Sequence, residues 1–404
     1  MNLVIRSSNI GSYVPQISEN KTMARSEFTK TDHQNSVRNV NIEILRIIAM
    51  LLVLACHGIL HLNWLLDVDR DVKVTPGIGT AASYTVVQYG QVGVCIFFII
   101  SGYFLVKKSF SWKRIVIPWT QLLVYTILCF VITLLLPTSI KNFSGISNLF
   151  SSQTAMFNTL MSVFTPILSS AYWFMTTYIA MIILAPYVNT LFDQLQESQI
   201  LGLMAFFAFI SILMLYGGRT YLWNNIMYAC LCYIIGGWIR IYLPQHKQPK
   251  IWHLLATVSL STLLMFLFNY ASASNSTFTH ALHWNNYLHD GIWLGPIIIA
   301  ACLFILAIKI PSIGSSSFVT RSILALSPAT FGVYLLHENL FGYRLLWRAW
   351  EHFVQAPHSL NGKVTIFIMI IFITYLGLLL IAYLIDSFIA RPISQKIAST
   401  VTSK

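Results

Sequence analysis

The 404-residue chain is 56% hydrophobic and 9% charged, where soluble proteins carry about 25% charged residues, and this excludes an ordinary water-soluble domain. Its formal charge of +12 suits anionic lipid headgroups or polyphosphate ligands as well as it suits nucleic acid, and no nucleic-acid partner is expected. The six cysteines, Cys56, Cys95, Cys129, Cys230, Cys232 and Cys302, all lie in apolar runs without metal-ligand spacing; they read as small apolar fillers, and no metal is expected.

Residues 1–40 are polar, mixed in charge and without a helical apolar period, so they are expected to form a mobile cytosolic arm. The opening MNLVIRSSNIGSYVPQISEN lacks the apolar core of a cleavable signal peptide, so the first apolar run should persist as a spanning helix. That run, NIEILRIIAMLLVLACHGILHL at 41–62, carries Arg46 and, eleven positions on, His57. Eleven residues make nearly three turns, which puts both side chains on one helix face about 16 Å apart along the axis. Ionisable groups inside a bilayer cost several kcal/mol unless they face a bundle interior or a wet cavity, so the alignment points to a lined cavity. The plainer alternative has Arg46 reaching the headgroups and His57 bonding a neighbouring helix.

Ten apolar runs are expected to span the membrane: 41–62, 88–106, 115–136, 172–192, 200–216, 225–243, 251–269, 291–308, 325–346 and 364–386. The fold class is therefore all-α, a polytopic membrane helix bundle in one domain over 41–390, followed by a cytosolic tail at 391–404. With the N-terminus inside, 17 lysines and arginines fall in cytosolic segments and 7 in outer ones, with Arg46 inside the first span, so both termini are expected to be cytosolic. No solenoid repeat and no two-half symmetry is evident, which weakens a transporter built from inverted repeats.

The second span, GVCIFFIISGYFLVKK, brings Ser101 to about the level of Arg46 and carries Tyr103 beside it. A Ser-Gly pair most often serves close helix packing, and without a base nearby Ser101 is not read as a nucleophile. In KKSFSWKRIVIPW at 107–119 the lysines Lys107 and Lys108 suffice as a topology signal. Lys113 and Arg114 abut the third span, where two or three cations at one cavity mouth would bind phosphates. AYWFMTTY at 171–178 offers Trp173 as an interfacial anchor or as a flat platform for a sugar or acyl chain, with hydroxyls from Tyr172 and Tyr178.

His280, His283 and His289 cluster in HALHWNNYLHD, without an acidic or cysteine partner at metal spacing. His57 and His61 alone are too few ligands. In the ninth span, SPATFGVYLLHENLFGYRLLW, Ser327 is a plausible N-cap, with His337 and Glu338 some 15 Å further along, near the depth of His57. A His57–Glu338 pair would make a general base, the carboxylate fixing the tautomer. On a continuous helix, adjacent positions diverge by about 100°, so His337 and Glu338 should not both face one small site.

Taken in order, Arg46 and His57 with ten residues between them, FFIISGYF at 97–104, KRIVIP at 113–118, AYWFMTTY at 171–178 and VYLLHEN at 333–339 resemble the membrane-bound acyltransferase 3 family, in particular bacterial surface-polysaccharide O-acyltransferases. The resemblance covers about 41–390. It implies a ten-helix cell-membrane enzyme that takes an acyl group, usually acetyl, from cytosolic acyl-CoA and delivers it to a hydroxyl of a surface or lipid-linked glycan, alongside polysaccharide-biosynthesis proteins. It also implies that Arg46 and His57 are the residues most closely tied to activity, and that Lys113 and Arg114 form the basic pair before the third span. On this reading Arg46, Lys113, Arg114 and Ser101 lie at the donor, His57, Arg46 and Glu338 act in catalysis, and Trp173, Tyr178, Tyr103 and His337 border the acceptor. Two other functions fit the same polar cavity, a secondary transporter or lipid-linked glycan carrier and a catalytically silent sensor.

Overall fold

The computed structural model describes residues 38–62, 77–168, 172–217, 224–274, 293–311, 317–357 and 359–402. The expected arm, for residues 1–37, and the histidines His280, His283 and His289 lie outside them. Among the described residues the chain is helical throughout and no strand occurs.

The helices are α1 (Val40–His61), α2 (Ile78–Leu105), α3 (Lys113–Leu135), α4 (Thr138–Phe143), α5 (Gln153–Phe164), α6 (Trp173–Gln194), α7 (Glu197–Gly217), α8 (Asn225–Ile241), α9 (Ile251–Ser274), α10 (Leu294–Lys309), α11 (Phe318–Leu326), α12 (Thr330–His337), α13 (Gly342–Phe353), α14 (Leu360–Ile385) and α15 (Arg391–Thr402). Among the described residues, eight helical stretches are long and apolar enough to cross a membrane, and two shorter apolar helices, Glu197–Ile212 and Leu294–Lys309, occupy the fifth and eighth expected spans.

α2 is the hub: it packs against α1, α8, α9 and α10. It begins ten residues before the expected start at 88, because its polar first half has partners inside the bundle. Asn269 of α9 donates to Thr85 Oγ1 at 3.1 Å and to Gln88 Oε1 at 3.1 Å, while the Gln88 amide donates back at 3.4 Å. Interhelical amide bonds of this kind fasten membrane helices where hydrophobicity cannot distinguish a neighbour from lipid. Elsewhere α2 is cut away to backbone at glycines that meet two different helices. A Cβ on Gly93 would lie 2.3 Å from the Ala49 carbonyl oxygen of α1, and one on Gly102 would lie 2.0 Å from the Tyr233 carbonyl oxygen of α8.

The ninth span differs most from expectation. Instead of one helix over 325–346, α11 stops at Leu326, a 3₁₀ turn covers Ser327–Ala329, and α12 runs only from Thr330 to His337. Pro328 marks the break, since it has no N–H to donate to the α-helical ladder. Ser327 is not an N-cap: it closes α11 as its C-cap with right-handed helical angles, and its hydroxyl donates to Glu43 of α1. Beyond Phe341 the chain restarts as the amphipathic α13, which buries Trp347 and turns Arg348 to solvent. The segment expected as a tail is helical from Arg391 to Thr402 and packs on α3. Where α14 passes into α15, a π turn brings Asp386 under the Tyr125 hydroxyl of α3, which donates to it at 2.9 Å.

Candidate active site

α1, α2, α3, α6 and the broken ninth span enclose a cavity of about 250 Å³ bordered by Arg46, His57, Ser101, Trp173, Tyr178 and Tyr334, among others. Arg46 and His57, set by helical spacing on one face of α1, thus share one void. The volume lies just below the ~300–1,000 Å³ of pockets that enclose a whole drug-sized ligand, so the reacting end of a larger molecule fits, and its remainder stays outside.

At one end Arg46 is not a free cation. Its Nη1 donates to both carboxylate oxygens of Glu43, at 3.1 and 3.2 Å, and Glu43 also accepts from Ser327. Glu43 is 4% exposed. A guanidinium carries five N–H donors, and a single nitrogen serves Glu43, so the group is held in place with donors to spare. Sequence reasoning passed over Glu43. Its signal was the Glu-x-x-Arg spacing, which puts acid and base on one helix face.

At the other end three side chains converge. His57 Nδ1 lies 3.1 Å from His337 Nε2 and 3.3 Å from Glu338 Oε1. His337 Nδ1 in turn lies 2.8 Å from the Val333 carbonyl oxygen. A carbonyl only accepts, so His337 carries its proton on Nδ1 and presents a lone pair at Nε2. His57 must then donate from Nδ1, which leaves its Nε2 unprotonated. The tautomer is thus set by a chain of acceptors ending on backbone.

His337 and Glu338 both reach this site, contrary to expectation: the Glu338 N–H still bonds the Tyr334 carbonyl at 3.2 Å, as in a helix, and the two diverging side chains meet because His57 Nδ1 lies between them. Glu338 is the C-cap, with φ −95° and ψ 0°. Asn339 stabilises the exit: its Oδ1 accepts from the Phe341 N–H at 3.1 Å and its Nδ2 donates to the Tyr172 hydroxyl at 3.0 Å. Tyr172 passes the chain on to the Leu335 carbonyl at 3.0 Å. The YLLHEN stretch is therefore a helix terminus locked by side chains, and the lock aims Glu338 at His57.

The other candidates divide. Trp173, the first residue of α6, lines the cavity and meets Phe174 and Tyr228 edge-on. Tyr178 lines it too, beside Ser101. The Ser101 hydroxyl donates to the Phe97 carbonyl at 2.9 Å, a packing arrangement within its own helix. Tyr103 faces away, with its hydroxyl 3.3 Å from Arg240 Nη1 and its ring against Phe304. Arg114 borders a separate small recess with Lys108 and Asn189 and donates to the Ser109 carbonyl at 2.6 Å. Lys113, the first residue of α3, borders neither void.

No curated relative and no solved structure matches the chain. A family model described as an acyltransferase domain matches residues 39–386, which begins at α1 and ends at the π turn after α14. That span takes in the cavity, the Arg46–Glu43 pair and the His57–His337–Glu338 cluster, and the chain is a membrane protein of the acyltransferase 3 family.

Proposed function

We propose that this acyltransferase moves an acyl group, acetyl in the simplest case, from cytosolic acyl-CoA to a hydroxyl of a cell-surface or lipid-linked glycan, with both chain termini on the cytosolic side. The observation that carries the reading is the fixed tautomer of His57 at the end of a cavity whose other end is Arg46. Coenzyme A is a polyanion that cannot enter hydrocarbon. Its phosphates stay at the Arg46 end, with Lys113 and Arg114 outside this void, and only the thioester reaches inward. His57 Nε2 takes the proton of the acceptor hydroxyl as that oxygen attacks the thioester carbonyl. The tetrahedral oxyanion collapses to the ester and expels the thiolate, which takes the proton back from the imidazolium and leaves as the free thiol. Glu338, 3.3 Å from Nδ1, offsets the charge while the imidazolium exists. Trp173 supplies an apolar platform for the acceptor sugar.

The oxyanion needs a donor on the cavity wall. A tyrosine hydroxyl or a backbone amide would serve; of Tyr103 and Tyr178, Tyr178 borders the void and Tyr103 is engaged by Arg240. Tyr178→Phe is expected to lower transfer by about 10-fold or more, while Tyr103→Phe stays within about twofold, as read by turnover of purified protein at saturating donor.

The reading as a whole is tested by reconstituting the protein in liposomes with isotope-labelled acetyl-CoA and by mass spectrometry of the surface glycan from cells with and without it. The expected results are consumption of the thioester and loss of an acetyl mass from the glycan. Movement of saccharide across the membrane without thioester consumption would instead establish a carrier.

A further inference from the structure

The same three side chains define more than a hydrogen-bonded base. His57 Nδ1, His337 Nε2 and Glu338 Oε1 are separated by 3.1, 3.3 and 4.0 Å. In the plane of these three atoms the point equidistant from them lies about 2.1 Å from each, the bond length of zinc to imidazole nitrogen or carboxylate oxygen. Two imidazoles and one carboxylate, with a fourth position left open, is a recurring donor set for this ion.

Two further observations point the same way. Glu338 Oε1 is buried without a hydrogen-bond partner, an exposed electrostatic need inside the bundle. His337 already donates its other nitrogen to the Val333 carbonyl at 2.8 Å, which is how a metal-bound histidine is oriented from behind. Among the described residues this is the group of histidine and acidic side chains close enough to hold one ion.

We infer that His57, His337 and Glu338 form a binding site for a zinc-class divalent cation, and that its occupancy switches off the base. To coordinate through Nδ1, His57 must give up the proton it donates to His337. The neutral ring then carries its proton on Nε2, the nitrogen that has to be bare to accept one from a hydroxyl. A bound ion and a general base at His57 are therefore mutually exclusive states of one imidazole. This second half rests on the proposed function above, whereas the binding half stands on geometry alone.

The test uses the full chain in detergent, stripped with chelator and titrated with Zn²⁺ against a chromophoric competitor, with no acyl donor present. One tight Zn²⁺ per chain is expected, weakened about 100-fold or more in Glu338→Gln and again in His337→Gln. Thermal melting of the metal-free variants identifies any that are misfolded, and Glu338→Gln keeps the shape of the side chain. X-ray absorption of the zinc-loaded protein should show nitrogen and oxygen neighbours at about 2.0–2.2 Å. Absence of tight binding, or equal binding by wild type and both variants, overturns the site and places any zinc on other histidines. In the transfer assay Zn²⁺ should inhibit wild type reversibly; zinc that binds here yet leaves transfer unchanged or faster overturns the switch. Tight binding in a protein that transfers no acyl group would refute the proposed function while leaving the metal site intact.

Discussion

Replacing His57 with glutamine should abolish acyl transfer, with turnover falling by about 10²–10⁴-fold, the usual worth of a positioned general base. Glutamine fits the same space and keeps a hydrogen-bonding group beside His337 and Glu338, so the loss would not come from collapse of the cluster. Glu338→Gln should be milder. Its carboxylate offsets the transient charge on the imidazolium, but the tautomer of His57 is fixed independently through His337 and the Val333 carbonyl. Single-turnover measurement of acyl transfer in the two variants gives the order directly. If His57→Gln retained a tenth or more of wild-type turnover, the proton would be going elsewhere. If Glu338→Gln were the more damaging, the carboxylate itself would be the base.

How much of this could be read beforehand differs from residue to residue. Arg46 and His57 were legible because helical spacing alone puts them on one face, and the cavity they line follows from the cost of turning either towards lipid. Glu338 was legible as a partner for His57 by depth. His337 was not, because the argument against it did not allow for His57 Nδ1 lying between two diverging side chains. The break in the ninth span lies in the sequence as Pro328 and as the Asn339 lock, but the lock works through Tyr172, a residue 167 positions away. Tyr103 and Tyr178 are both tyrosines inside apolar runs, and only packing separates the one bonded to Arg240 from the one facing the void. In the same way, the apolar count placed the start of α2 at 88, because Gln88 and Thr85 find their partner on α9 and no window along α2 can register it.

Small changes on α2 should undo the bundle as thoroughly as a change at His57 undoes the chemistry. A methyl group on Gly102 would lie 2.0 Å from the Tyr233 carbonyl oxygen, and one on Gly236 of α8 would lie 2.1 Å from the Ile99 carbonyl oxygen. Both obstacles are backbone, so no rotamer change relieves them, and the two helices would have to separate by more than 1 Å to restore ordinary contact. Gly102→Ala and Gly236→Ala are therefore each expected to destabilise the protein by about 2 kcal/mol or more. The same substitution at Gly202, where nothing lies within 4 Å, should be neutral or stabilising by up to about 1 kcal/mol, because alanine is the better helix former. Thermal unfolding of the three variants in one detergent measures the contrast and cancels the intrinsic preference common to all. The consequence reaches the site, since Ser101 and Phe97 form one wall of the cavity on the helix that would move. Any Gly102→Ala protein that still folds should lose transfer with His57, His337 and Glu338 untouched. If Gly102→Ala melted like wild type and turned over normally, the close seating of α2 on α8 would not be what holds that wall in place.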